Sequence, residues 1–127
     1  MGAAEGVLDW LMLVKARAPG LSLGQLAALL HTARREGVRM TELADLCRES
    51  VANTSRYVRS MTAVDYPGSL GEAHGLLELQ RGAQDARVRH VLLSADGRAL
   101  IKALEAVMDP ASLETTGSAQ DEGARRP

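Results

Sequence analysis

Residues 76–100 read LLELQRGAQDARVRHVLLSADGRAL. A short apolar run at 76–79 is followed by a polar segment, QRGAQDARVR, carrying Arg81, Arg87 and Arg89, and then by a second apolar run near His90–Leu93. Two runs of strand character around a polar segment containing glycine predict a β-hairpin with a long loop. Ser94 then stands where a helix cap is wanted, and ADGRALIKALEAVM follows it. Leu100, Ile101, Leu104, Val107 and Met108 recur at the spacing of a helix that packs on another. The hairpin loop has nothing to bury, so its arginines and Gln84 are free to reach outward.

Upstream, the pattern is helical. Residues 4–16 predict a first helix ended by Pro19-Gly20. Val7, Leu8, Leu11 and Val14 form one stripe, while Trp10, Met12 and Leu13 fall on the other faces. A helix apolar on so many sides needs cover on two of them. Either a partner subunit supplies the second, or Trp10 covers its own core. Ser22 with Gln25 three residues on is a capping-box pattern that starts a second helix, which Gly37 stops. Thr41 is expected to cap a short third helix, TELADLC, with Leu43, Leu46 and Cys47 inward. Ser50 is expected to cap a fourth, running to about Thr62. On this fourth helix Thr54, Tyr57, Val58 and Met61 share an inner face, and Val51, Ala52, Ser55, Arg56 and Arg59 lie outward.

Two short helices on a tight connection, the second led by small residues and followed by arginines, form a helix-turn-helix candidate. Small residues let a helix backbone approach base edges, and arginines reach guanine or phosphate. Residues 63–75 are expected to form a loop with a turn at Tyr66-Pro67-Gly68, and the chain from 111 onward a disordered tail. The expected fold is mainly α with a small β-hairpin: a winged helix-turn-helix of five to six helices and a two-stranded wing. It is read as a single domain over 1–110 that includes N- and C-terminal dimerisation helices.

Composition agrees. The 127 residues include no Phe, one Trp and two Tyr, so the core must be Leu, Ala, Val and Met, which suits helices. A net charge of −1 neither argues for a nucleic-acid partner nor prevents a local basic face. The lone Cys47 cannot form an internal disulfide, and no apolar run approaches the ~20 residues that cross a bilayer. A cytoplasmic location is the expectation. Cys47, His31, His74 and His90 lack metal-site spacing, no glycine-rich stretch follows a strand, and no nucleophile context surrounds a serine. No enzymatic activity, metal or cofactor is expected.

Over residues 21–108 the chain resembles the MarR-type transcriptional regulators. DARVRHVLLSADGRAL (85–100) is similar to that family's wing and the start of its next helix, with Asp85 and Arg87 matching its Asp-x-Arg pair. The resemblance implies that Arg87 enters a minor groove while Asp85 steadies its guanidinium. MTELADLC is similar to the helix before the turn and SVANTSRYV to the recognition helix, with Thr54, Ser55 and Arg56 at reading positions. The chain departs from the pattern at Arg48, where the family has glycine, at Glu49, where it has an apolar residue, and in the long 63–75 loop before the wing.

The function so implied is a sequence-specific, double-stranded-DNA-binding regulator, a repressor acting as a homodimer on a pseudo-palindromic operator. The expected DNA contacts are Ser50, Asn53, Ser55, Arg56 and Arg59 in the recognition helix and Arg81, Gln84, Asp85, Arg87 and Arg89 in the wing. The expected dimer contacts are Trp10, Leu11, Val14, Leu100, Leu104, Val107 and Met108. Two other readings remain open: a winged-helix docking module for protein, and a ligand- or redox-responsive regulator.

Overall fold

The computed structural model describes residues 2–63 and 75–108. Along the chain these form α1 (Ala3–Arg17), α2 (Leu23–Arg34), β1 (Val38–Arg39), α3 (Met40–Cys47), α4 (Val51–Ser60), β2 (Leu77–Arg81), β3 (Arg89–Leu93) and α5 (Ala95–Met108). The expected turn at 66–68, His74 and the 111–127 tail lie outside the described residues. Contacts divide the chain into two compact units, one from the residues up to Pro19 and from Lys102 onward, the other Gly20–Ile101.

The second unit carries the helix-turn-helix and the wing. Each helix begins where a local side chain satisfies backbone N–H groups that have no partner inside the helix. At α2, Ser22 Oγ accepts from the Gln25 N–H (3.1 Å) and the Gln25 side chain accepts from the Ser22 N–H (2.7 Å). At α4, Ser50 Oγ accepts from the Asn53 N–H (3.0 Å). At α5, Ser94 Oγ accepts from the Gly97 N–H (3.0 Å). α3 differs from expectation: its cap is Arg39, and Thr41 sits exposed within the first turn. Glu42 takes over the capping work, reaching back to the Arg39 N–H (3.4 Å). A carboxylate three residues into a helix serves there better than a hydroxyl one residue too late.

α2 packs against α3, α4 and β3. The fully buried large side chains of this unit include Leu29, Leu43, Val58, Met61, Leu77, Val91 and Leu100, the aliphatic core that a chain without Phe requires. Close approach also shapes it. A Cβ at Gly24 of α2 would lie 2.5 Å from the Tyr57 ring of α4, so the missing side chain is what lets that ring lie against the helix.

The sheet has three strands, not two, in the order β1-β3-β2, all antiparallel. β1 pairs Val38 with Val91 and Arg39 with His90. Gly37, at φ 91, donates its N–H to the Val91 carbonyl (2.9 Å), and its own carbonyl lies 2.9 Å from His90 Nδ1. A carbonyl can only accept, so Nδ1 carries the proton in this contact. A two-residue strand shows no alternation along the chain, and only its pairing reveals it.

Arg48 takes the turn between α3 and α4 at φ 58, ψ 44, the left-handed conformation that glycine ordinarily supplies. The Glu49 N–H bonds the Ala44 carbonyl (3.0 Å) and the Arg48 N–H bonds the Asp45 carbonyl (3.1 Å), the two crossed bonds of a Schellman end. The turn therefore keeps its geometry without its usual residue. The expected 63–75 loop lies, apart from its two ends, outside the described residues. The Met61 carbonyl at the end of α4 accepts from both the Leu76 (2.7 Å) and Leu77 (2.9 Å) N–H groups. Its two ends thus meet, and β2 starts directly beside α4.

Ser94 fastens the far end of the hairpin, its N–H to the Leu76 carbonyl (3.0 Å) and its hydroxyl to the Gly75 carbonyl (2.5 Å). A Cβ at Gly97 would overlap that Leu76 carbonyl, which explains the glycine in the Gly-Arg-Ala-Leu run. Arg98, next to it, forms a two-bond ion pair with Glu36 (2.9 and 2.5 Å).

In the first unit, α1 leaves Val7, Leu8, Leu11 and Met12 exposed, and Met108 near the end of α5 is exposed as well. Of the other residues expected at a dimer interface, Trp10 and Val107 are half-buried, while Val14 and Leu104 are buried within the chain. Leu100 belongs to the second unit and is buried there.

Candidate nucleic-acid interface

α4 presents Val51, Ala52, Asn53 and Arg56 to solvent. Arg56 has no hydrogen-bond or ion-pair partner among the described residues, so its guanidinium is uncommitted. Asn53 donates from Nδ2 to the Glu49 carboxylate (3.3 Å), a weak exposed bond that a stronger acceptor can displace. Ser50 spends its hydroxyl on the helix cap. Two expected outward placements are corrected. Ser55 is buried, at 8% exposure, beside Thr54, which is wholly buried as its inner-face position predicts. Arg59 is half-buried with its Nε enclosed and unpartnered among the described residues. Helical spacing put Ser55 and Arg59 near the edge of the outward face, where neighbouring elements, invisible to spacing, decide burial.

In the wing, the Gly82 N–H bonds the Val88 carbonyl (2.8 Å) and the Val88 N–H bonds the Asp85 carbonyl (3.1 Å). These bonds hold the loop tip in one shape. Asp85 Oδ1 accepts from the Arg87 backbone N–H (3.0 Å) and Nε (3.2 Å), and Oδ2 from Nη2 (3.3 Å). The guanidinium is thus held in a fork while its side chain stays 91% exposed. The side-chain bonds from Arg87, then its backbone N–H, keep the Asp85 carboxyl below the usual carboxylate range, so the pair is charged at neutral pH. Gln84 is exposed, and Arg81 folds back to bond the Ala86 carbonyl (3.3 Å), which makes it a brace of the wing.

Wing and recognition helix meet at a shallow cleft of about 110 Å³ lined by Arg39, Met40, Thr41, Val51, Arg87, Val88 and Arg89. This cleft puts the start of α4 and the basic root of the wing on one face. Arg39 had no place in the sequence reading, and Thr41 entered it only as a helix cap. About fifty residues separate Arg39 from Arg89, and only the pairing of β1 with β3 brings them together.

Cys47 is half-buried, and burial, then the Glu49 carboxylate, push its thiol pKa up, away from thiolate reactivity. Among the described residues no three His, Cys, Asp or Glu side chains are grouped to hold a metal ion, and no helix is long and apolar enough to cross a membrane.

A helix-turn-helix continued into a three-stranded sheet with an extended hairpin, between flanking helices, is a winged helix-turn-helix. Solved structures of MarR-type regulators share this architecture. The chain is similar to the S. aureus MepR–DNA complex at a TM-score of 0.67, with 15% identity over 88% of this chain and 83% of that one. A MarR transcriptional regulator from Methanosarcina mazei Go1 gives a TM-score of 0.60 at 21% identity, covering 83% of this chain and 67% of that one. Bordetella bronchiseptica BpsR, whose DNA binding is regulated by 6-hydroxynicotinic acid, gives 0.55 at 16% identity, covering 88% and 79%. No protein-family model and no curated protein matches the sequence.

Proposed function

We propose that the chain is a sequence-specific transcriptional regulator that binds double-stranded DNA as a homodimer and represses by occupying its operator. The observation that carries this reading is the shared cleft, which sets the recognition helix and the basic wing on one face. α4 lies in a major groove with Arg56 at a base edge and Ser50 and Asn53 near the backbone. Arg87, held in its fork by Asp85, enters the adjacent minor groove, with Gln84 and Arg89 beside it. Likeness in fold to a regulator solved on DNA supports this assignment.

A second copy covers the exposed apolar side of α1, where Val7, Leu8, Leu11 and Met12 lie together at helical spacing. Two-fold symmetry then presents two α4 helices to half-sites about one helical turn apart, in a pseudo-palindrome. The cytoplasm, where an operator is accessible, is the location this role requires.

A gel shift with the DNA upstream of the chain's own coding sequence, at two salt concentrations, tests the proposal. Retardation that is sequence-selective and weakens with salt is expected. Absence of any shift at low salt would leave a protein-docking role for the same face.

A further inference from the structure

The cleft between wing and recognition helix is small. At about 110 Å³ it falls well short of the ~300–1,000 Å³ of a pocket for a drug-sized ligand. Its lining holds three arginines and no carboxylate. The nearby acids are already divided: Glu42 is shared between Arg35 and Arg39 at 3.3 Å each, and Asp85 is taken by Arg87. Arg39 is thus only half neutralised, and Arg89 has no ion-pair partner among the described residues. Arg39 is fixed by β1, opposite His90 on the strand that also carries Arg89, so both guanidinium stems grow from one rigid sheet. Planar, five-donor cations in a small recess otherwise lined by Met40, Thr41, Val51 and Val88 are suited to a tetrahedral oxyanion.

Location narrows the oxyanion further. A helix in a major groove and an arginine in the adjacent minor groove are separated by one phosphodiester strand. The cleft between them must lie over that strand. Resting on the DNA-binding reading above, we propose that this cleft seats one backbone phosphate of the bound duplex, gripped by Arg39 and Arg89 with the Thr41 hydroxyl as a further donor. Glu42 is then a built-in competitor: it holds Arg39 in place and weakens its grip.

The test uses the full chain and a duplex selected by the parent protein from a random pool, with neutral methylphosphonate substituted at one backbone position at a time. Arg39→Gln should weaken binding roughly five-fold across sequences and lower the slope of log affinity against log salt by about 0.9. One methylphosphonate position should cost the parent a similar factor and cost Arg39→Gln nothing. Glu42→Gln, which keeps an acceptor oxygen for the start of α3 but releases the guanidinium, should bind more tightly with a steeper salt slope. Misfolding cannot imitate that gain. If the parent binds selectively but Arg39→Gln keeps its affinity and slope, or loses equally at every methylphosphonate position, the seat is wrong and the regulator reading stands. If the parent binds no duplex, both fall. If millimolar inorganic phosphate raises the melting temperature of the parent but not of Arg39→Gln, while no methylphosphonate couples, the cleft takes a free phosphate and the backbone seat is overturned.

Discussion

Replacing Arg48 tests the turn on which the helix-turn-helix depends. At φ 58 and ψ 44 its Cβ crowds the following carbonyl, a cost of roughly 1–2 kcal/mol that glycine does not bear. Glycine in turn enlarges the unfolded ensemble, which costs about 0.4–1 kcal/mol. The arginine charge near the end of α3 contributes a further sum of about 0.3–1 kcal/mol, because helix C-termini favour cations. Comparing Arg48→Gly with Arg48→Ala cancels this last contribution, since both remove the charge. The glycine variant should then be the more stable by about 1 kcal/mol, or about 4 °C in melting temperature for a domain of this size. The same pair at Arg56, inside α4, should reverse sign, with alanine favoured by about 1 kcal/mol as in any helix interior. Thermal and urea unfolding followed by circular dichroism reads all four variants. An Arg48→Ala protein as stable as Arg48→Gly would refute the left-handed turn.

The start of α5 offers a second perturbation: Gly97→Ala drives a methyl into the Leu76 carbonyl and should cost about 1–3 kcal/mol in urea unfolding, while Ala99→Ser at the exposed neighbour should cost only the lower helix propensity of serine, no more than about 0.7 kcal/mol. Acid should weaken the second unit through its paired carboxylates. The Arg98 side-chain bond lowers the Glu36 pKa, and bonds from Arg39 lower that of Glu42, so their contribution is present above the unfolded value near 4.3 and is lost as pH falls through the lower folded values. Melting temperature measured from pH 6 to pH 3 should fall, and it should fall less in Glu36→Gln. Leu11→Glu, on the exposed side of α1, should shift the chain toward monomer in a sizing experiment over a concentration series while leaving its helical content unchanged. A dimer that survives that charge would place the interface elsewhere.

Much of this architecture is legible along the chain because its signals are local. Ser22, Ser50 and Ser94 each stand one residue before a helix and each accepts from an N–H three residues on. The Asp85–Arg87 fork is likewise contained within three residues. What escaped is what depends on distant pairing. β1 is defined by β3, fifty residues later, and with it the place of Arg39 beside the wing. Arg48 by its own residue type carries no hint of a left-handed conformation, which only its match to a glycine position suggests. Ser55 sits at the margin of the α4 face, where the helix alone does not say whether a neighbour covers it. Nothing in the sequence says that residue 61 meets residues 76 and 77, a closure made by the Met61 carbonyl.

In the proposed complex α4 and the wing act on one duplex, Arg56 on a base edge and Arg87 in the neighbouring groove. Fluorescence anisotropy on the parent-selected duplex and its single-base variants, over a range of salt, tests it with Arg56→Ala and Arg87→Ala. Arg56→Ala should lose about 1–3 kcal/mol of binding and relax discrimination at one base pair per half-site. Arg87→Ala should weaken all the duplexes alike and flatten the salt dependence by about one phosphate contact. Two variants that bind every duplex as the parent does would rule out these roles for Arg56 and Arg87.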